Sequence, residues 1–233
     1  MLSNANVSGG IRRFGMLGND VDGDCTVAAY YHVVMAKNMV RSGPLKRFFY
    51  RLGFKIPGTK FAVAKYTAYL ATQKEKPGAG SGVALDGWLE WMRLQGGVID
   101  WVQLNPSLPD FEGRIREAMV ECGGVMLAGT LSQESYQNWG SGFLWKYDPT
   151  VPSDQPDPTL VHALAMLAYK NDNDFAVTWG TWQAMTAEYR QACFPTAMVF
   201  LHKDDQKLPD FEQRLAYLKS LQGVARSRAT RAT

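Results

Sequence analysis

Cysteine and histidine are both scarce, three of each in 233 residues. Cys25, Cys122 and Cys193 cannot all pair, and no two of them form a CxxC. A disulfide-dense scaffold is therefore excluded, and a reducing compartment or one chemically useful thiol is expected. Neither the cysteines nor His32, His162 and His202 have the spacing of zinc ligands. Long apolar runs are missing too. The longest, Val27 to Ala36, contains His32 and is far shorter than a bilayer span requires. Met1 to Arg13 is polar and Gly-rich, so secretion by a signal peptide is not expected. There is no zinc-finger spacing, RNP-like strand or Gly-rich phosphate loop. Asp20, Asp22 and Asp24 imitate a calcium loop, but Cys25 stands where that loop needs Gly and Tyr31 where it needs Glu. No cofactor or metal is expected.

What is present suits a globular protein: 46% hydrophobic and 20% charged residues, in a chain long enough for a real core. Charge is unevenly spread. From Cys25 to Lys74 there are nine Lys and Arg residues and no carboxylate, whereas acids gather at Asp148, Asp154, Asp157, Asp172 and Asp174. The closing residues carry Arg226, Arg228 and Arg231 without an acid, which accounts for the whole net charge of +3. Arg41, Lys46, Arg47 and Arg51, with the three arginines of the tail, are candidate contacts for an acidic partner or nucleic acid; a merely solvated face is the competing reading.

Periodicity and breakers predict an α+β order. Helices are expected over Thr26–Met39, Phe61–Lys74, Val83–Leu94, Asp110–Cys122, Met185–Cys193 and Asp210–Gln222. Strands are expected over Gly124–Leu131, His162–Tyr169, Phe175–Trp179 and Ala197–His202. Helices come first and strands second, so a helical part facing a sheet-rich part across a cleft is expected. Arg41 to Gly58, with Phe48, Phe49 and Tyr50 among basic residues, reads as an insertion, and Pro77 to Gly82 as a flexible turn.

Chemistry is concentrated in Gly18-Asn-Asp-Val-Asp-Gly-Asp-Cys25-Thr, which sets a thiol where a Gly-containing loop meets a buried helix. Unsatisfied N–H groups at a helix start favour thiolate, the nucleophilic form. A facing base is needed. His32 lies seven residues along the same helix, about 10 Å of rise, and is expected to pack or meet solvent. His162 opens a strand after an irregular loop and can face across a cleft. His202 ends the last strand and is expected to be exposed. Cys122 and Cys193 are expected to be inert core thiols.

These residues resemble the papain-like cysteine peptidase superfamily, and within it a branch found in tailed bacteriophages and actinobacterial genomes. The match runs from Phe14 to Ala29, through Gly123-Gly124-Val125 and His162-Ala163 with Tyr169, to Val177-Thr178-Trp179-Gly180. The resemblance implies Cys25 as nucleophile, His162 as general base, Asn19 with the Cys25 N–H as oxyanion donors, and Trp179 as the shield of the orienting residue. Two positions depart from the pattern. The orienting Asn falls at Val177, with Thr178 next to it as a possible support, and the Gly before Tyr169 is Ala168.

The resemblance also implies a papain-like domain over 1–202, with a helical lobe about 14–100, a sheet lobe about 101–202 and the basic insertion about 41–58, followed by a C-terminal helix and tail over 203–233. It implies hydrolysis of peptide or isopeptide bonds, a virion or host-cytoplasm location, and other phage structural proteins or copies of the chain as partners. The alternative is an idle virion assembly protein that keeps the fold.

Overall fold

The structure, a computed structural model, describes residues 4–20, 23–42, 58–74 and 82–229, with side chains to residue 222. The order of elements is β1 Asn4–Asn6, α1 Cys25–Arg41, α2 Thr59–Thr72, α3 Leu85–Leu94, β2 Val98–Leu104, α4 Phe111–Cys122, β3 Val125–Ser132, α5 Gln133–Gln137, β4 Pro156–Lys170, β5 Asn173–Thr178, β6 Thr181–Thr186, α6 Ala187–Cys193, β7 Thr196–His202 and α7 Phe211–Ala229. Every strand pairing is antiparallel, in the order β2-β7-β3-β4-β5-β6, with β1 beside the end of β4. The expected α+β class is what is found. No helix among the described residues is long and apolar enough to cross a membrane.

The two-residue period of a strand explains the layering. Along β4, Ala163, Ala165 and Leu167 face a cluster with α1, whereas Leu164 and Met166 face a second cluster with α4 and α6. The strand is covered on both faces, which is why its sequence reads as one apolar run. Helix α1 is buried along nearly its whole length, so a polar face is missing from its sequence as well.

Helix α1 turns both of its cations inward, Lys37 buried and Arg41 half-buried. Lys37 donates to the Phe200 carbonyl at 2.7 Å and sits 3.0 Å from Asp205 Oδ2. Arg41 pairs with the other oxygen of Asp205 and bonds Asn38 Oδ1 at 3.3 Å. This corrects the expectation for Arg41: its guanidinium is committed within the fold, because the carboxylate at the end of β7 compensates charges that α1 carries inside. Lys46, Arg47, Arg51, the Phe48–Tyr50 patch, nearly all of the Pro77–Gly82 turn and Arg231 lie outside the described residues. Arg226 and Arg228 lie on the last turns of α7, beyond the described side chains.

Three strands escape the sequence pattern. β1 is only three residues long. β2 follows directly on Gly96-Gly97 and carries Asp100 and Gln103 within its apolar alternation. β6 occupies the start of the helix expected at Met185. The helix begins at Ala187 instead, where the Thr186 hydroxyl accepts the Tyr189 N–H at 3.2 Å.

Candidate active site

Cys25 is the first residue of α1, and its position is set by what ties down the helix start. The Thr26 hydroxyl donates to the Val83 carbonyl at 2.5 Å, which fixes the chain ahead of α3 against α1. The Ala163 and Thr26 N–H groups act on the Cys25 thiol and favour its charged form. Ala163 follows His162 on β4, so the start of α1 lies against the stretch of strand that carries the imidazole. Asn19, Cys25, His162 and Trp179 all line one cavity of about 760 Å³.

His162 pairs with Gly129 of β3 in the sheet register. Gly129 is required there: a Cβ on it would lie 1.8 Å from the Cys193 carbonyl oxygen at the end of α6. Nε2 of His162 meets Thr178 Oγ1 at 2.6 Å. The Trp179 indole stacks on the imidazole, with centroids 4.3 Å apart and planes 18° apart. Trp179 and Gly180 form the β5–β6 turn with φ of 44° and 74°, the pair of positive angles that a two-residue hairpin of matching twist demands. A tryptophan in the left-handed region costs of order 1 kcal/mol. Stacking on His162 and a tilted contact with Trp139, at 4.9 Å, compensate.

The Val177 side chain is not the partner of His162. It faces the α1 cluster, while Ala176 and Trp179 join the opposite one. The same alternation turns Thr178 toward His162, so the neighbour of the expected position fills the role of hydrogen-bond partner. The Trp179 indole lies across the face of the same imidazole. Sequence reading missed Tyr136 and Trp139, which extend the aromatic roof over Trp179; their only signal was an aromatic, Gly-rich stretch.

Burial governs protonation. Cys25 is 9% exposed and His162 4%. Desolvation pushes the Cys25 thiol above its usual range; the two N–H donors pull it back only in part, and the Asp24 carboxylate adds to the rise. Desolvation also lowers His162 to about 3. The resting pair is thus neutral thiol and neutral imidazole. The helix-start expectation of a thiolate is corrected, because removal of water outweighs the favourable helix end.

The other candidates separate clearly. His32 is buried, its Nε2 2.9 Å from the Gly15 carbonyl and its ring edge-on to Phe14, so it braces the loop before Cys25. His202 is buried rather than exposed: its Nδ1 accepts the Asp204 N–H at 3.2 Å, closing the turn after β7. Cys122 and Cys193 are buried free thiols, raised by desolvation to about 12 and about 11.

No protein-family model matches the chain, and no curated protein matches it. Among solved structures, it is similar to a cysteine protease of Carica candamarcensis solved in complex with E-64, at 12% identity and a TM-score of 0.43. That match covers 86% of this chain and 99% of the protease.

Proposed function

We propose that the protein is a papain-like cysteine hydrolase that cuts peptide or isopeptide bonds through an acyl-thioester, with Cys25 as nucleophile and His162 as base. The observation that carries this is the convergence of Cys25, His162 and Asn19 on one cavity, with Nε2 of the imidazole engaged by Thr178. With Nε2–H donated to the Thr178 hydroxyl, Nδ1 is left with a lone pair.

The proton of the Cys25 thiol passes to Nδ1 as the sulfur adds to the substrate carbonyl carbon, in one step because the resting pair is neutral. The resulting oxyanion is met by the Cys25 N–H, a first-turn donor without an intrahelical partner, and by the Asn19 amide. Imidazolium returns the proton to the amine as the C–N bond breaks. Water then attacks the thioester, releasing the carboxylic product and restoring the thiol.

Intact-mass spectrometry during turnover of peptide and isopeptide substrates tests this. The expected result is an acyl adduct on Cys25, absent in Cys25→Ala and slowed at least about 100-fold in His162→Ala. No adduct and no cleavage would overturn it in favour of the idle assembly protein, a reading that the neutral, buried pair supports. The phage-type branch and a virion setting are the finer part of this proposal. They rest on the order of motifs from Phe14 to Gly180, and detection of the chain in purified particles tests them.

A further inference from the structure

A second cavity, of about 410 Å³, shares no lining residue with that of Cys25. It lies further along α1, where Tyr30, Tyr31 and Asn38 contribute to its wall. Tyr30 and Tyr31 are 0% and 4% exposed, and neither hydroxyl has a hydrogen-bond partner among the described residues. Both rings are held in place: Tyr30 stacks on Phe200 at 4.8 Å and Tyr31 meets Phe61 edge-on at 5.6 Å.

The Tyr30 hydroxyl lies on the wall made by Gly97, since a Cβ built on Gly97 would be 3.7 Å from it. That wall continues into His202 and Lys203, closed by the bond from the Lys203 N–H to the Gly97 carbonyl at 3.1 Å. His202 accepts at Nδ1, so its hydrogen is on Nε2 and it is a further donor. Lys65 and Lys203 line the cavity, and no acidic side chain does so among the described residues. Phe61, half-exposed, and Met92 supply apolar surface. Two unpaired buried hydroxyls are costly to keep, which makes a ligand that pairs them the natural complement.

We propose that this cavity binds a small organic anion with a flat apolar body, an aryl carboxylate, whose oxygens meet the two phenol hydroxyls under the positive charge of Lys65 and Lys203. Isothermal calorimetry and thermal shift with 2-naphthoate test it. Expected are saturable one-to-one binding and binding at least about tenfold weaker for 2-naphthalenemethanol, which has the ring without the charge. Tyr31→Phe and Lys65→Met should each weaken 2-naphthoate at least about fivefold. Tyr31→Phe should melt no lower than wild type without ligand, because it removes an unpaired hydroxyl, so lost binding cannot be lost folding. Cys25→Ala should bind as wild type, which separates this site from the proposed hydrolase. Absence of saturable 2-naphthoate binding, meaning that water alone fills the cavity, would overturn the proposal. So would unchanged affinity in a Tyr30→Phe, Tyr31→Phe double variant.

Discussion

The imidazole of His162 is gripped by Thr178 at one nitrogen and by the Trp179 indole across its face. A hydroxyl can give or accept a hydrogen bond, so Thr178 permits either tautomer, whereas attack by Cys25 needs the one with its hydrogen on Nε2. In the proposed reaction Thr178 is accordingly a positioning residue. Thr178→Val keeps the shape and removes the bond. It should lower kcat about 10- to 100-fold with KM little changed, while Thr178→Ser retains most of the rate. Steady-state kinetics on the cleaved peptide decide this; equal kcat for Val and Ser would remove Thr178 from the mechanism. Cys25, His162 and Trp179 were legible in sequence because each sits in a motif of fixed order. Thr178 was legible only as a possible support, because motif alignment put the orienting role on Val177. Only the two-residue alternation of β5 against β4 shows which neighbour faces the base. The pair's protonation was illegible for a different reason: desolvation depends on what the whole fold lays over the helix start.

At the scale of elements, the site depends on how closely α6 approaches β3. Gly129 holds His162 in register across the ladder and admits the Cys193 carbonyl where a side chain would stand. Gly129→Ala should force β3 and the end of α6 apart at a cost of about 1–3 kcal/mol or more. Urea denaturation should show that loss, and alkylation of the otherwise buried Cys193 should accelerate. A variant as stable and as slowly alkylated as wild type would refute this close approach. Long apolar segments such as α1 and β4 were readable because burial on all sides leaves an unbroken apolar run. β2 and β6 were not, because polar residues interrupt them: Asp100 takes a bond from Gln222 of α7 at 3.0 Å, and Gln183 donates to the Phe143 carbonyl at 2.5 Å. Their polarity is satisfied by partners distant in sequence, which no local pattern reveals. The same limit hid the inward course of Lys37 and Arg41, whose partner Asp205 lies more than 160 positions away.

Across the whole molecule, charges are paired inside and the imidazoles of His162 and His202 are kept neutral. Asp174 is fully buried between Arg190 at 2.9 Å and Arg116 at 3.1 Å, joining β5 to α6 and α4, as Asp205 joins the end of β7 to α1. Two buried histidines make stability depend on pH. Desolvation lowers His162 from 6.5 to about 3; desolvation first, then the nearby Lys37 charge, lowers His202 from 6.5 to about 4. Both are depressed in the folded state, so the unfolded chain binds the extra protons. Their contribution is complete above about pH 6.5 and falls as pH drops toward 4, at about 1.4 kcal/mol per pH unit for each histidine. Asp205 adds to the acid sensitivity only lower down: the Lys37 and Arg41 charges outweigh its desolvation and hold its carboxyl below the usual carboxylate value. Urea unfolding at pH 7.5 and 5.5 should therefore differ by about 2–3 kcal/mol, with wild type weaker at 5.5. In His162→Gln the difference should shrink by about half, whatever its absolute stability, because one proton-linked group is gone. Equal stability of the wild type at the two pH values would mean that both imidazoles meet water, and the neutral resting pair of Cys25 and His162 would go with them.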